Sequence, residues 1–332
     1  MPLHEQKIFA RYNRGNAMRP LSELAIRLLE LQKMSWPQLT EGYEALNAIR
    51  VRELACEGFF VRLQFNPRRL VSSSAKIDDQ SIRNRRCFLC MENLPAQQIG
   101  ILYEEQFLVL CNPAPIFKHH YTISHVQHVP QAVMQQVAAL LQLAKDFSPH
   151  FTVFYNGPKC GASAPDHLHF QASPAGAIPV ENEAPAASRR HLIQKSGEVA
   201  FFRLHNFGRE VFLLEGNECE ALAAALAKFF HALQAEASTQ EEPMMNVLCS
   251  FQEGTWRIMI FPRRKHRPRV YFCEGDERIL ISPASVDMGG LIILPVEEDF
   301  LKVESRLIAD IYREVSIDGT HADHVVELLR RS

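Results

Sequence analysis

The sequence lacks several features that would place it at once in a broad class of protein. Its 332 residues carry a formal net charge of −2, which argues against a dedicated nucleic-acid-binding protein. No apolar run is long enough to cross a bilayer, and the first residues lack the apolar core of a secretory signal. Its eight cysteines are irregularly spaced, so we expect reduced thiols and a cytoplasmic protein with no membrane partner.

The spacing of apolar residues predicts an α+β fold, with helices packed on a largely antiparallel sheet. Residues 1–58 are predicted to be an N-terminal helical extension. Residues 59–175 alternate short strands with one amphipathic helix, and residues 176–190, rich in Ala, Pro and Glu, suggest a linker or mobile loop. Residues 191–332 partly repeat the order of elements. We therefore expect two related halves, with the chemically informative motif only in the first.

That motif is the segment from His167 to Gln171. In a β-strand, His167, His169 and Gln171 share one face, while Leu168 and Phe170 point the other way into a core. A neutral imidazole near pH 7 is a competent nucleophile towards phosphorus, and an amide can donate a hydrogen bond to a phosphate oxygen at any pH. The alternative, surface histidines on an ordinary antiparallel strand, is disfavoured by the segment that precedes the motif.

The preceding segment is a polar loop of small residues that begins at Asn156. Its backbone N–H groups, together with Lys159, Gly161 and Ser163, could all face an anion. A nucleophilic histidine beside a phosphate-sized loop predicts nucleotidyl transfer.

These motifs resemble those of the histidine-triad (HIT-like) superfamily. The Asn-Gly step, the small-residue loop and His-Leu-His-Phe-Gln-Ala resemble the branch that holds the galactose-1-phosphate uridylyltransferases, the diadenosine tetraphosphate phosphorylases and the GDP-hexose phosphorylases. The last group is the most similar. Weaker resemblances lie at residues 64–72, which contain Asn66-Pro67, and at residues 282–300, which contain Ser282-Pro283-Ala284. The resemblance therefore spans about residues 60–310.

The resemblance implies a HIT-like fold and a covalent nucleotidyl-histidine on His169, with Gln171 assisting at the transferred phosphate. It also suggests Lys76 and Asn66 as phosphate- or nucleotide-binding residues, and a homodimer as one expected partner. The substrates implied are a nucleotide sugar or a dinucleoside polyphosphate, with phosphate or a sugar phosphate as acceptor. Family members usually carry Ser or Thr three residues before the first histidine, whereas Ser163 lies four before it, which leaves the role of Ser163 open.

A second motif, Cys87-Phe-Leu-Cys90, can supply two thiolates to a tetrahedral zinc ion. The resemblance implies that His128 and His167 complete the ligand set, with a structural role for the metal. The other interpretation is a reduced structural cysteine pair without metal. No further cofactor is expected.

The basic run from Arg263 to Arg269 has two interpretations, a solvated surface or a binding site for phosphate groups. The favoured function is a two-step nucleotidyltransferase or phosphorylase that acts through His169. The alternatives are a dinucleoside polyphosphate hydrolase and a non-catalytic nucleotide- or RNA-binding module.

Overall fold

A computed structural model describes residues 3–70 and 79–331. Its fourteen strands, in chain order, are β1 Ile8–Tyr12, β2 Arg50–Cys56, β3 Phe59–Phe65, β4 Gly100–Tyr103, β5 Phe107–Cys111, β6 Tyr121–His125, β7 Phe151–Asn156, β8 His169–Pro174, β9 Arg190–Ser196, β10 Val199–Leu204, β11 Val211–Gly216, β12 Met245–Gln252, β13 Thr255–Pro262 and β14 Leu291–Leu294.

The α-helices of the described residues are α1 Leu3–Gln6, α2 Leu21–Ser35, α3 Pro37–Glu44, α4 Asp79–Arg83, α5 Val137–Asp146, α6 Pro179–Glu183, α7 Cys219–Glu236, α8 Ser285–Met288, α9 Glu297–Lys302, α10 Ser305–Val315 and α11 Gly319–Arg331. Within those residues, no helix is both long enough and apolar enough to cross a membrane.

Eleven strands form one sheet in the order β1-β4-β5-β6-β8-β7-β12-β13-β11-β10-β9. Every pairing in it is antiparallel except that of β1 with β4. The order is symmetric about the contact between β7 and β12, where Phe154 pairs with Leu248. The units β4-β5-β6-α5-β7-β8 and β9-β10-β11-α7-β12-β13 therefore repeat the same topology, which confirms the predicted α+β fold with two related halves.

The two halves differ at the strand that carries the chemistry. By its place in the sheet, β13 corresponds to β8, but its sequence Thr-Trp-Arg-Ile-Met-Ile-Phe-Pro contains no histidine. The motif predicted from the sequence therefore occurs in one half only.

Alternation along the strands divides the apolar residues between two cores, one on each face of the sheet. Phe170 and Tyr155 belong to the first core, which also contains the buried residues of α2, α5, α7 and α11. Phe154 belongs to the second core, which is covered by a three-stranded sheet in the order β14-β3-β2 and by α10. The histidine strand is thus held between two packed layers.

Some predicted elements differ from the observed ones. The N-terminal region, predicted to be helical, also contains β1 and β2. The segment 176–190, predicted to be a linker or mobile loop, contains α6, and Ile178 and Val180 are buried there. The one amphipathic helix predicted in the first half is α5, which begins at Val137 after a turn in which the carboxylate of Glu242 accepts the backbone N–H groups of Val133 and Met134.

Candidate active site

The histidine strand β8 lies inside the large sheet, between β6 and β7. Leu168 and Phe170 are fully buried in the first core, as the alternation predicted. The strand begins at His169, so His167 lies in the turn before it. His169 and Gln171 line a cavity on the opposite face, whereas the ring of His167 turns towards the two cysteines.

The ring of His169 is held in a single orientation. Its Nδ1 lies 2.8 Å from the backbone carbonyl oxygen of His167, so Nδ1–H donates and Nε2 keeps the lone pair. Burial lowers the pKa of His169 to about 4, which keeps the ring neutral near pH 7. A neutral, oriented imidazole with a free Nε2 lone pair is the arrangement required of a nitrogen nucleophile.

Gln131 fixes the backbone of His169, and its role was not predicted from the sequence. Its Oε1 accepts the His169 N–H at 2.7 Å, and its Nε2 donates to the His169 carbonyl at 3.0 Å. The same Nε2 donates to the carbonyl of Asn156 at 2.9 Å. One buried amide therefore ties the start of β8 to the end of β7, where the small-residue loop begins.

The cavity beside His169 has a volume of about 500 Å³, which is within the range of small-molecule sites. It is lined by residues between Trp36 and Gln171 and, from the second half of the chain, by His266, Arg267, Ser282, Ala284, Val286, Asp287 and Ile293. The predicted residues that line it are His169, Gln171, Asn156, Gly161 and Ser163, and its cationic side chains are Arg69, Arg85 and Arg267. A site with three guanidinium groups and two neutral histidines, His169 and His266, suits a phosphorylated ligand.

Asn156 is held by the second half of the chain. Its Oδ1 accepts hydrogen bonds from the Ser285 N–H at 2.8 Å, from the Ser285 Oγ at 2.6 Å and from the Asn246 Nδ2 at 3.1 Å. Because the oxygen is fully used, the Nδ2 group is left as the donor for the cavity. Gly161 is required at this junction: its φ is +111°, and an added Cβ would lie 2.6 Å from the Cβ of Ala284.

Two predicted phosphate-binding residues of the described part of the chain, Lys159 and Asn66, are not brought to the cavity. Lys159 is exposed and forms an ion pair with Glu241 on the surface. Asn66 is buried and donates its Nδ2 to the carbonyl of Pro115 at 3.1 Å, so its amide anchors a loop instead. Lys76 lies outside the described residues.

The basic run divides into residues with different roles. Arg263 is buried and donates to Asn246 Oδ1 and to the carbonyl of Pro283, which fixes the loop that carries Ser285. Lys265 is exposed and pairs with Glu314. His266 and Arg267 line the cavity and share Ser282, whose Oγ lies 3.1 Å from His266 Nε2 and 3.0 Å from Arg267 Nε.

Burial, with Arg267 and Arg263 nearby, lowers the pKa of His266 to about 3. In the unfolded chain the His266 ring is protonated as the pH falls through about 6.5, whereas in the folded chain it stays neutral. His266 therefore destabilises the fold as the pH falls below about 6.5. We therefore expect His266→Gln to gain roughly 1 kcal/mol of stability relative to the wild type when the pH is lowered from 7 to 5.5. Urea unfolding of the wild type and of His266→Gln at both pH values measures their free energies of unfolding. A difference between the two proteins that does not change with pH would contradict the prediction.

Cys87, Cys90, His128 and His167 form a compact cluster whose ligand atoms all lie within 4.8 Å of one another. Cys87 Sγ lies 3.3 Å from His167 Nδ1, and Cys90 Sγ lies 3.3 Å from His128 Nδ1. The ligands of a tetrahedral zinc ion are separated by about 3.5 Å. The structure thus brings together all four of the predicted ligands.

The surroundings of the cluster also fit a metal. His167 Nε2 donates to the carbonyl of His125 at 2.8 Å, which directs the Nδ1 lone pair at the cysteines. His128 Nε2 lies 3.8 Å from Asp166, whose other oxygen accepts a 2.6 Å hydrogen bond from Arg85. The cluster could therefore hold a tetrahedral Cys2His2 ion, which would tie His167, and through its carbonyl His169, to the cysteine turn.

Several residues around the cavity carry no signal in the sequence. Gln131, Asn246 and Ser285 act through hydrogen bonds that join distant segments, and no spacing rule predicts such partners. His120 is an exception, because the sequence shows it as the second residue of a His-His pair directly before β6. Its contact with Gln171 could not be predicted from the sequence.

Two family models match the chain in succession. A domain of unknown function, DUF4922, matches residues 28–174, and the GDPGP1-like C-terminal domain matches residues 183–331. No curated protein matches the chain at the significance used for these comparisons.

Solved structures with a similar fold include yeast Ap4A phosphorylase Apa2 in complex with Ap4A. It has 14% sequence identity and a TM-score of 0.55, and the alignment covers 88% of this chain and 97% of that chain. The complex of the same enzyme with AMP has 15% identity and a TM-score of 0.53, over 87% of this chain and 96% of that chain. At these identities the comparison establishes the fold, which is HIT-like. Together with the GDPGP1-like model over residues 183–331, it confirms the predicted resemblance to the HIT-like branch that holds the GDP-hexose phosphorylases and Ap4A phosphorylases.

Proposed function

We propose that the protein is a nucleotidyltransferase of the phosphorylase type that acts on a nucleotide sugar or a dinucleoside polyphosphate through a nucleotidyl-histidine on His169. The observation that carries the proposal is the Nδ1–H hydrogen bond of His169 to the carbonyl of His167, which leaves Nε2 as the nucleophilic nitrogen in the cavity. The matched family and the Ap4A complex of the yeast enzyme support a nucleotide substrate.

In the first step, the Nε2 lone pair attacks the α-phosphorus of the substrate. A P–N bond forms, and the bond from that phosphorus to the bridging oxygen breaks, so a sugar phosphate or a nucleotide leaves with the bond electrons. The carbonyl of His167 stabilises the positive charge that develops on the ring, because it accepts the Nδ1–H throughout. The ring does not need to lose a proton first.

In the second step, an oxygen of inorganic phosphate or of a sugar phosphate attacks the same phosphorus. The P–N bond breaks, its electrons return to Nε2, and His169 is neutral again. With phosphate as acceptor, the product is a nucleoside diphosphate. The amides of Gln171 and Asn156 supply neutral donors to the phosphoryl oxygens, and arginines supply the opposing charge.

A turnover screen tests this proposal. The full chain is incubated with GDP-, UDP- and ADP-hexoses and with Ap4A, each with and without inorganic phosphate, and the products are separated by ion-exchange chromatography. We expect nucleoside diphosphate to form with at least one substrate, and only when phosphate is present. Turnover at an equal rate without phosphate would identify a hydrolase instead, and no turnover of any substrate would contradict the proposal.

A further inference from the structure

The hydrogen-bonding partner of Gln171 is the buried ring of His120. His120 Nε2 lies 2.9 Å from Gln171 Oε1, and the His120 side chain is not exposed to solvent at all. His120 lies immediately before β6, which pairs with the histidine strand through Thr122 and Gln171. The contact therefore joins neighbouring strands at the floor of the cavity.

The tautomer of His120 follows from its other nitrogen. The backbone N–H of Ile116 donates to Nδ1 at 3.2 Å, so Nδ1 carries the lone pair and the proton lies on Nε2. Burial, with Arg69 nearby, lowers the pKa of His120 to about 3, so the ring stays neutral. Nε2–H is thus a fixed donor, and Gln171 must present its oxygen to it.

The backbone around His120 is also fixed. The hydroxyl group of Tyr43, on α3, donates to the His120 carbonyl at 3.1 Å. The oxygen of that hydroxyl also accepts the His120 backbone N–H at 3.2 Å. Phe117 and Phe154 pack around the ring, with centroids 5.8 Å and 6.1 Å away. These contacts hold the ring of His120 in one orientation.

We propose that His120 is a positioning residue that locks the amide of Gln171 with its oxygen inwards and its NH2 group towards the phosphoryl group at His169. An amide has nearly the same shape in both flip states, so packing alone does not select one. The His120 N–H does select, because the flipped amide would place two donors against each other. This inference rests on the proposed function and adds to it the residue that gives Gln171 its direction.

The kinetic test is a double-mutant cycle on the full chain with the best substrate of the turnover screen. His120→Leu keeps the volume and removes the donor, and we expect it to lower kcat roughly 10- to 100-fold with KM within about threefold. His120→Gln, which can place an N–H near the same point, should recover kcat to within about tenfold of the wild type. The double variant His120→Leu/Gln171→Ala should be no slower than Gln171→Ala alone. Additive losses would overturn the proposal.

A second measurement does not depend on turnover, which separates failure of this inference from failure of the proposed function. Nitrogen-15 NMR of the full chain should show His120 with a protonated Nε2 and an unprotonated Nδ1, with the signals assigned from their loss in His120→Gln. Inorganic phosphate should shift the side-chain NH2 signal of Gln171 in the wild type but not in His120→Leu. An Nδ1–H tautomer, or an equal shift in both proteins, would overturn the inference even if the enzyme is active.

Discussion

Replacement of His169 by asparagine is expected to lower kcat by roughly 10⁴-fold or more, the largest effect of any single substitution in the protein. Asparagine can still donate to the carbonyl of His167, but it has no nitrogen lone pair in the cavity. The loss therefore reports the missing nucleophile and not a missing structural hydrogen bond. The measurement is the steady-state rate with the best substrate of the screen, at saturating phosphate.

The matched control for that substitution is His231→Asn. His231 is exposed on α7 and does not line the cavity, and its Nδ1 lies 3.1 Å from Gln234 Oε1. It should retain the wild-type rate. If His169→Asn retains more than about one hundredth of the wild-type rate while folded, another residue carries the transfer and the assignment of His169 is wrong.

Replacement of Cys87 by serine is expected to give the largest loss of stability. If the cluster holds zinc in the folded chain only, the bound ion adds roughly 3–4 kcal/mol when free metal exceeds its dissociation constant by 100- to 1,000-fold. We therefore expect Cys87→Ser, or dialysis of the wild type against a chelator, to lower Tm by roughly 5–10 °C. Differential scanning fluorimetry and metal analysis of the same preparation measure both quantities.

Cys273→Ser is the control for the cysteine experiment. Cys273 lies outside the cluster, and its thiol lies 3.6 Å from the carbonyl oxygen of Arg269. It should keep both the metal and the wild-type Tm. A wild-type protein that contains no metal and is indifferent to the chelator would show that the four residues form a reduced structural pair with two histidines.

The features predicted well from the sequence are those in which a local pattern forces a local structure. Alternation at residues 167–171 correctly predicted that Leu168 and Phe170 are buried. The Cys-x-x-Cys turn, with two histidines supplied by the family resemblance, identified four residues that the fold gathers. The first pattern depends on the two-residue period of a strand. The second depends on a metal-binding chemistry that few residue types other than cysteine and histidine can provide.

The features that the sequence did not predict depend on contacts between distant segments. Lys159 is a residue type that often binds phosphate, but it forms an ion pair with the carboxylate of Glu241 at the surface. Asn66 lies in the Asn-Pro segment that resembles the family, yet its side-chain amide donates a hydrogen bond to the carbonyl of Pro115. Conversely, Ser285 on α8 in the other half of the chain fixes the amide of Asn156, a contact that no local pattern encodes.

The most direct test of the account is the identification of the covalent intermediate. The full chain is mixed with a labelled substrate in the absence of phosphate, quenched at neutral to basic pH, and digested for mass spectrometry. We predict one added nucleotidyl group on the peptide that contains His169, absent in His169→Asn and discharged as nucleoside diphosphate when phosphate is added. A nucleotidyl group on any other residue, or an adduct that persists in His169→Asn, would contradict the account.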